Sequence, residues 1–425
     1  MATLEEKAQQ QPAAAVPRVV VVGIGFAGLA TVSRLRRSGM QVTLVDRNIY
    51  STFQPLLYQV ATGGLTPSDV AYPLRGFAHR YRARFTHGEV TAIDYAARTV
   101  ILANGDALDY DYLVVATGVS AAYYGVPGAD KHSQGLYTRR DAVALRDQIL
   151  AGLERLSGDS RGSEWAVTVV GGGATGVELA GTLAELRNIA LPTAYPSIDR
   201  TRMHIRLLEM APSLLAPFHP ALREYAHRQL LAREVDVRLN ATIREVTADH
   251  VVLANGENVP SDITVWAAGV GAPEPLGSWG LPQGRGGRIL VRPDLRVVDH
   301  DRVFAVGDIA MIEDQPLPQL AQPALQTGRH AADQITRLAA GQPTTRFEYH
   351  DKGIMATIGR HSAIVQLPHG LRVRGFPAWI SWLGLHLVTL LGSRNRISAL
   401  INLSYRYLSW GRGGALIVDS DPPPG

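Results

Sequence analysis

The stretch RVVVVGIGFAGLATVSRL, residues 18–35, runs from a β-branched apolar segment through a glycine-rich turn into a helical pattern. Arg18 to Val22 has the composition of a buried parallel strand, and Leu29, Val32 and Leu35 recur at helical spacing. A second strand, Gln41 to Val45, ends in Asp46, 18 residues after Gly28. Strand, G-x-G-x-x-G turn, helix, strand and acid together form the setting in which this fingerprint binds a dinucleotide. Gly23, Gly25 and Gly28 permit the tight turn and let a pyrophosphate approach the helix N-terminus, where free amides and the dipole meet its negative charge. Asp46 is placed to accept hydrogen bonds from an adenosine ribose.

The same device recurs. Trp165 to Val170 is an apolar strand, followed by Gly171, Gly173 and Gly176 in a second fingerprint, a helix through Leu186, and a strand Ile205 to Leu208 ending in Glu209. Glu209 lies 33 residues after Gly176, so this unit carries an insertion around Asn188 to Arg202. Farther on, VILANGDALDYDYLVVATG at 100–118 parallels VVLANGENVPSDITVWAAG at 251–269. The fingerprints are offset by 148 residues and these segments by 151, which points to an internal duplication and two bound dinucleotides. Val303 to Asp308 reads as a short buried strand ending in Gly-Asp, with Pro323 at the N1 position of a following helix. The chain is therefore expected to return and complete its first domain.

A length of 425 residues implies two or three domains, and 46% apolar against 19% charged residues is a globular composition. The absence of cysteine excludes disulfides, thiolate metal sites, iron–sulfur clusters and redox-active thiols, so redox chemistry must belong to a bound cofactor. The net charge of +4 is unevenly spread: eight Lys or Arg and no acid lie between Lys352 and Val418, with Trp379, Trp382 and Trp410 among them. Cations interleaved with aromatics suit an anionic membrane surface or single-stranded nucleic acid. Phe376 to Gly392 is uncharged but interrupted by Pro377, Ser381, His386 and Thr389, too short to span a bilayer. Leu400, Ile401, Tyr405 and Leu408 recur at helical spacing beside Arg394, Arg396 and Arg406, an interfacial amphipathic pattern. A core helix or a dimer contact would give the same spacing. Residues 1–16 are polar, without an apolar signal segment, so a cytoplasmic protein is expected.

With the two fingerprints, PLLYQVATGGL at 55–65, WAAGV at 266–270, LAQPALQTGRH at 320–330 and MATIGRHSAIV at 355–365, the chain resembles the type II NADH dehydrogenases, single-chain NADH:quinone oxidoreductases of respiratory membranes. The resemblance implies an α/β fold with two Rossmann-like dinucleotide-binding domains, for FAD and NADH, and a C-terminal membrane-surface helical segment. It places a disordered N-terminus at 1–16, an FAD-binding domain at 17–135 and 275–345, an NADH-binding domain at 136–274, and the strand region and amphipathic helices at 346–425. It assigns Gly23, Gly25, Phe26, Ala27, Gly28, Asp46, Arg47, Gln54, Val90, Ala116, Thr117, Gly118, Asp308, Ala321 and Gln322 to FAD. Gly171, Gly173, Gly176, Glu209 and Gly269 go to the nicotinamide nucleotide, and no metal is implied. Since no arginine follows Glu209, a ribose diol fits better than a 2′-phosphate, favouring NADH.

Four residues are implied in catalysis. Gln322 and Gln326 share a helix face if one helix holds both; taken alone they read as a cap and a solvent-facing amide, and the resemblance makes them a quinone-headgroup site. Glu178 is expected in the first helical turn after the second fingerprint, as a dipole-stabilising acid or, by resemblance, as support for nicotinamide binding or proton delivery to quinone. Lys352 is a surface lysine or a flavin-side or quinone-side cation. The implied reaction passes hydride from NADH to FAD N5, then two electrons to a membrane quinone, without proton pumping. The implied location is the cytoplasmic face of the cell membrane, peripheral, with a homodimer possible and no nucleic acid. The alternatives are a soluble NADH-dependent flavoprotein reductase and a redox-sensing flavoprotein that binds a protein partner.

Overall fold

The computed structural model describes residues 16–409, so most of the expected disordered N-terminus, together with Trp410 and Arg412, lies outside the described residues. Two compact units emerge. One comprises the described part of Met1–Ile49 with Arg75–Gly118 and Glu274–Tyr349; the other comprises Tyr50–Leu74, Val119–Pro273 and the described part of His350–Gly425.

The first unit is built on a five-stranded parallel sheet in the order Val303–Ala305, Tyr112–Val115, Arg18–Val22, Gln41–Asp46, Arg84–His87. Its central strands are buried along their length, as a sheet covered on both faces requires. A three-stranded antiparallel sheet, Val90–Asp94, Thr99–Leu102 and Ala107–Asp109, is inserted before the strand Tyr112–Val115. The fingerprint helix Phe26–Leu35 packs on the helix Ala321–Ala339, closely enough that a side chain at Gly328 would overlap the Ala27 backbone. Thr31 Oγ1, buried in this contact, lies 2.9 Å from Ala27 O and 3.0 Å from Gly328 O. Pro323, expected at N1, is the third residue of its helix, still within the first turn where an amide has no intrahelical partner.

The second unit repeats the plan with a parallel sheet in the order Ser133–Gly135, Ile263–Trp266, Trp165–Val170, Met203–Leu208, Asp236–Arg238. Its antiparallel insertion is Ile243–Val246, His250–Leu253 and Asn258–Pro260. The two units differ in the origin of one strand: the edge beside Tyr112–Val115 comes from late in the chain, whereas the edge beside Ile263–Trp266 comes from just ahead of the second fingerprint. Residues 50–74 and 119–135, expected with the first fingerprint, cluster with the second. The reasons are local: Ser120–Ala121 pairs with Val270–Gly271, Ser133–Gly135 is an edge strand of the second sheet, and the buried helix Leu57–Ala61 packs on helices Arg139–Gly158 and Ala174–Glu185.

The helix after the second fingerprint begins at Ala174, between the last two glycines, and ends at Glu185, where a π-helical turn Leu186–Ala190 opens the insertion. This corrects the expectation for Glu178, which sits in the second turn, facing the interior rather than the helix dipole. Beyond 350 come three antiparallel strands, Ile354–Thr357, Ala363–Gln366 and Arg372–Gly375, then helices Phe376–Thr389 and Ser393–Ser409. No helix among the described residues is long and apolar enough to cross a membrane. Trp379 and Trp382, expected at headgroup level, are buried: Trp382 lies against Tyr58 and Glu178, and Trp379 packs on His361 and Phe376. The apolar residues left exposed are Phe376, Ile380, Leu385 and Val388 on the first helix and Ile397, Leu400, Ile401 and Tyr405 on the second. The opposite face of the last helix is polar and docked: Ser398 Oγ and Asn402 Nδ2 donate to the buried Asp69 carboxylate at 2.5 and 2.8 Å, and Asn395 Nδ2 donates to Ala71 O.

Candidate functional site

Each unit carries the same cradle at the carboxyl ends of its central strands. Gly23 has φ +89°, and a Cβ there would fall 2.6 Å from Ala116 O; Gly171 has φ +109°, with Ala267 O at the same 2.6 Å. Gly28 and Gly176 stand so close to the carbonyls of Gly23 and Gly171 that no side chain fits. At Gly25 and Gly173, by contrast, a Cβ would meet nothing within 4 Å among the described residues, and the helix begins directly after with no side-chain cap. Two glycines are thus forced by packing, and the middle one borders open space before unclaimed helix amides, the geometry that a pyrophosphate needs.

The acids close the parallel. Asp46 accepts from Ile24 N at 2.8 Å and Asn48 N at 2.7 Å; Glu209 accepts from Gly172 N at 2.5 Å and Ala211 N at 2.7 Å. Each carboxylate thereby pins the amide after the first fingerprint glycine, while its remaining lone pairs stay available to a ribose diol. Burial pushes the Asp46 carboxyl up, opposed by those amide hydrogen bonds and by the Arg47 charge. Farther from the fingerprints, Asp111 accepts from Arg18 N and Asp262 from Ala166 N, each at 2.7 Å, so the duplication reaches the strand starts as well.

The first unit adds the Gly307-Asp308 turn to its cradle. Thr117 Oγ1 and Asp308 Oδ1 are buried with no hydrogen-bond partner among the described residues. Burial pushes the Asp308 carboxyl up to about 6, against the pull of the Arg288 charge. Arg288 Nε donates to Asp308 O at 2.9 Å and its Nη2 to Ala310 O at 2.5 Å, fixing the Gly-Asp turn. Sequence reasoning missed Arg288, which no motif marks. Gly307, at φ +74°, donates its amide to Thr327 Oγ1 at 3.0 Å and so ties that turn to the helix Ala321–Ala339. That helix includes both Gln322 and Gln326, half-buried on one face, and Leu320 caps it without a side-chain bond, so the amides of Ala321 and Gln322 are not claimed by a capping group. Val90 and Ala116 are buried, Phe26 half-buried, Ala27 buried against Gly307 and Gly328, Gly118 at φ +66°, and Arg47 exposed. Two orphaned polar atoms and an open glycine in one unit fit a polar group that supplies their missing partners, as FAD would.

In the second unit, Gln54 opens the 3₁₀ turn Gln54–Leu56, and Gly269 follows the strand Ile263–Trp266. Glu178 is buried, and its Oε1 accepts from Thr357 N at 3.3 Å. Burial pushes its carboxyl up to about 8, with the Thr357 amide and the neighbouring Trp382 indole working weakly the other way. That indole Nε1–H nevertheless meets no acceptor in hydrogen-bonding geometry among the described residues. Trp382 stacks on His386 with ring centroids 4.1 Å apart, and His386 in turn meets the edge of Phe53. His386 Nδ1 lies 2.7 Å from Trp382 O, and burial lowers its imidazole to about 4. No local pattern marks this cluster, since its members are drawn from Phe53, Glu178, Thr357, Trp382 and His386, far apart along the chain. Lys352 is exposed on the loop before Ile354–Thr357.

The model of the pyridine nucleotide-disulphide oxidoreductase family matches residues 17–328. The chain is 39% identical over 423 residues to the type II NADH:quinone oxidoreductase NdhA of Mycobacterium tuberculosis, covering 94% of this chain and 89% of that protein. It is 30% identical over 361 residues to the type II NADH:quinone oxidoreductase of Staphylococcus haemolyticus, covering 82% and 89%. Among solved structures, NDH2 of Plasmodium falciparum in complex with NADH superposes with a TM-score of 0.85 at 19% identity, over 93% of this chain and 99% of that one. The sulfide:quinone oxidoreductase of Aquifex aeolicus gives 0.74, also at 19% identity, over 93% and 96%.

Proposed function

We infer from a chain that belongs to the pyridine nucleotide-disulphide oxidoreductase family, and within it to the type II NADH:quinone oxidoreductases, that it oxidises NADH and reduces a quinone with FAD and NADH as its bound dinucleotides. The observation that carries this is the doubled cradle in a protein without cysteine. Two dinucleotides have a place, and the thiol chemistry of sulfide oxidation has none.

Bound FAD supplies a two-electron store between a nicotinamide donor and a quinone acceptor. The first cradle is assigned to it. Gly23, Gly25 and Gly28 admit its pyrophosphate, Asp46 holds its adenosine ribose, and Thr117 and Asp308 offer the buried polar atoms that lack partners. The unclaimed amides that begin the helix Ala321–Ala339 favour negative charge beside them. Gly171, Gly173, Gly176 and Gly269 receive the nicotinamide nucleotide, and Glu209, facing a ribose diol, repels a 2′-phosphate. Gln322 and Gln326 offer side-chain amides to a quinone headgroup. Glu178, protonated at neutral pH by its burial, holds a proton on its carboxyl for nicotinamide binding or for quinone reduction. Lys352 supplies a cation.

The exposed apolar residues of the last two helices, flanked by exposed Arg372, Arg374, Arg394 and Arg396, support peripheral attachment to the cytoplasmic leaflet through anionic lipid. Anaerobic mixing of the flavin-loaded protein with NADH, then with a short-chain quinone, tests the activity by flavin absorbance. Bleaching by NADH and recovery on quinone are expected. Bleaching without recovery would leave a reductase of some other acceptor.

A further inference from the structure

We propose that Tyr124 belongs to the second nucleotide site, where its phenol ring lies against the nicotinamide half of a bound pyridine dinucleotide. The proposal rests on the second cradle being the nicotinamide site, and deepens that reading. Tyr124 has φ +51°, in the left-handed region that a bulky residue seldom occupies and that carries a conformational cost. Burial does not offset that cost, because the residue is 69% exposed. The ring nevertheless lies directly over Gly269: a Cβ built there would fall 2.6 Å from Tyr124 Cε2 and 2.7 Å from Cζ, so a side chain at 269 would displace the ring.

The frame around the ring is tightly built. Ser120–Ala121 pairs antiparallel with Val270–Gly271, Ala122 N donates to Gly269 O at 3.1 Å, and Trp266 Nε1 donates to Ala122 O at 2.9 Å. Tyr123 packs on Trp266 with centroids 5.8 Å apart. Strain held in place by such a frame and left facing solvent is an indication of function rather than of stability.

Topology says which half of the nucleotide meets it. Ile263–Trp266 flanks Trp165–Val170 on the side opposite Met203–Leu208. A dinucleotide with its pyrophosphate at the start of the helix Ala174–Glu185 and its adenosine ribose at Glu209 lies on the Met203–Leu208 side at one end. Its other half must therefore run over the loop that follows Ile263–Trp266, where Gly269 lies with Tyr124 upon it. An aromatic face there stacks on a nicotinamide ring or its ribose.

Isothermal titration of the flavin-loaded protein with NAD+ and with ADP-ribose, which lacks the nicotinamide, tests this without turnover. Tyr124→Asn, a residue that tolerates positive φ, should weaken NAD+ about tenfold, the scale of one lost stacking contact, and leave ADP-ribose within about twofold. Tyr124→Phe, which keeps the ring, should retain most of the NAD+ affinity. Equal weakening of both ligands, no weakening of either, or a Phe variant as impaired as Asn would each overturn the proposal. A wild-type protein that binds neither ligand would overturn the underlying reading of the cradle instead. Unchanged flavin content and melting temperature show that the variants fold.

Discussion

At the scale of single residues, buried carboxyls govern how the protein responds to pH. Glu178 is held in the fold at about 8 against an ordinary value of 4.5, so the folded state binds a proton that the unfolded chain has released. Its contribution is fully present below 4.5 and is lost as pH rises toward 8, at up to ~1.4 kcal/mol per pH unit in that window. Glu178→Gln, which keeps the shape and cannot ionise, should flatten this part of the profile and melt at a higher temperature than the wild type at pH 8.5; coincident melting curves from pH 5 to 8.5 would remove Glu178 as the cause. Glu209 makes a different prediction. Both of its oxygens hold backbone amides, so Glu209→Ala should loosen the fingerprint turn as well as remove the ribose contact. The Kd for NADH should rise by tenfold or more, a loss of ~1.4 kcal/mol or more, and the preference over NADPH should shrink. A wild type that oxidises both nucleotides equally would refute the ribose assignment.

Among elements, the two fingerprint helices permit a paired test. Gly28→Ala drives a methyl into the Gly23 carbonyl and should yield protein deficient in flavin, read from its visible absorbance. Gly176→Ala does the same to Gly171 and should spare the flavin while weakening NAD+. If the losses appeared the other way round, the cradles would be exchanged. These elements were legible in the sequence because their signals are local: an apolar run, a glycine spacing, an acid at the strand end. Other features depend on contacts that no local pattern encodes. The burial of Trp382 follows from a helix face meeting Tyr58 and the Glu178 region, and a tryptophan beside arginines reads the same whether it faces lipid or core. The unit boundaries moved for a similar reason, since Ser133–Gly135 carries too few apolar residues to be identified as a sheet edge. Glu178 was misplaced by one turn because the helix starts inside the fingerprint rather than after it. The docking of the last helix was likewise invisible, and it makes Asp69→Ala informative. Losing the acceptor for Ser398 and Asn402 should cost ~2–3 kcal/mol and expose Ser393–Ser409 to protease before the rest of the chain yields. Unaltered cleavage kinetics would mean that the apolar contacts of Ala399 and Leu403 hold the helix unaided.

For the molecule as a whole, the buried tryptophans change how membrane attachment should be probed. Deleting everything from 376 onward would strip Trp379 and Trp382 out of a core, so loss of binding would be confounded with loss of fold. Replacing the exposed Ile397 and Ile401 with serine leaves that core alone. Flotation with anionic vesicles should fall for this variant at high salt, where only apolar insertion persists, and fall less at low salt, where each surface cation still contributes ~1 kcal/mol. Equal flotation at both salts would point to a dimer or protein contact for this face. The differing origin of the two edge strands bears on the order of synthesis. All five strands of the second parallel sheet have been synthesised once Trp266 is made, whereas the first sheet waits for Val303–Ala305. The half that begins first on the nascent chain is therefore completed last, and its cradle cannot acquire Asp308 until the second cradle has been translated in full.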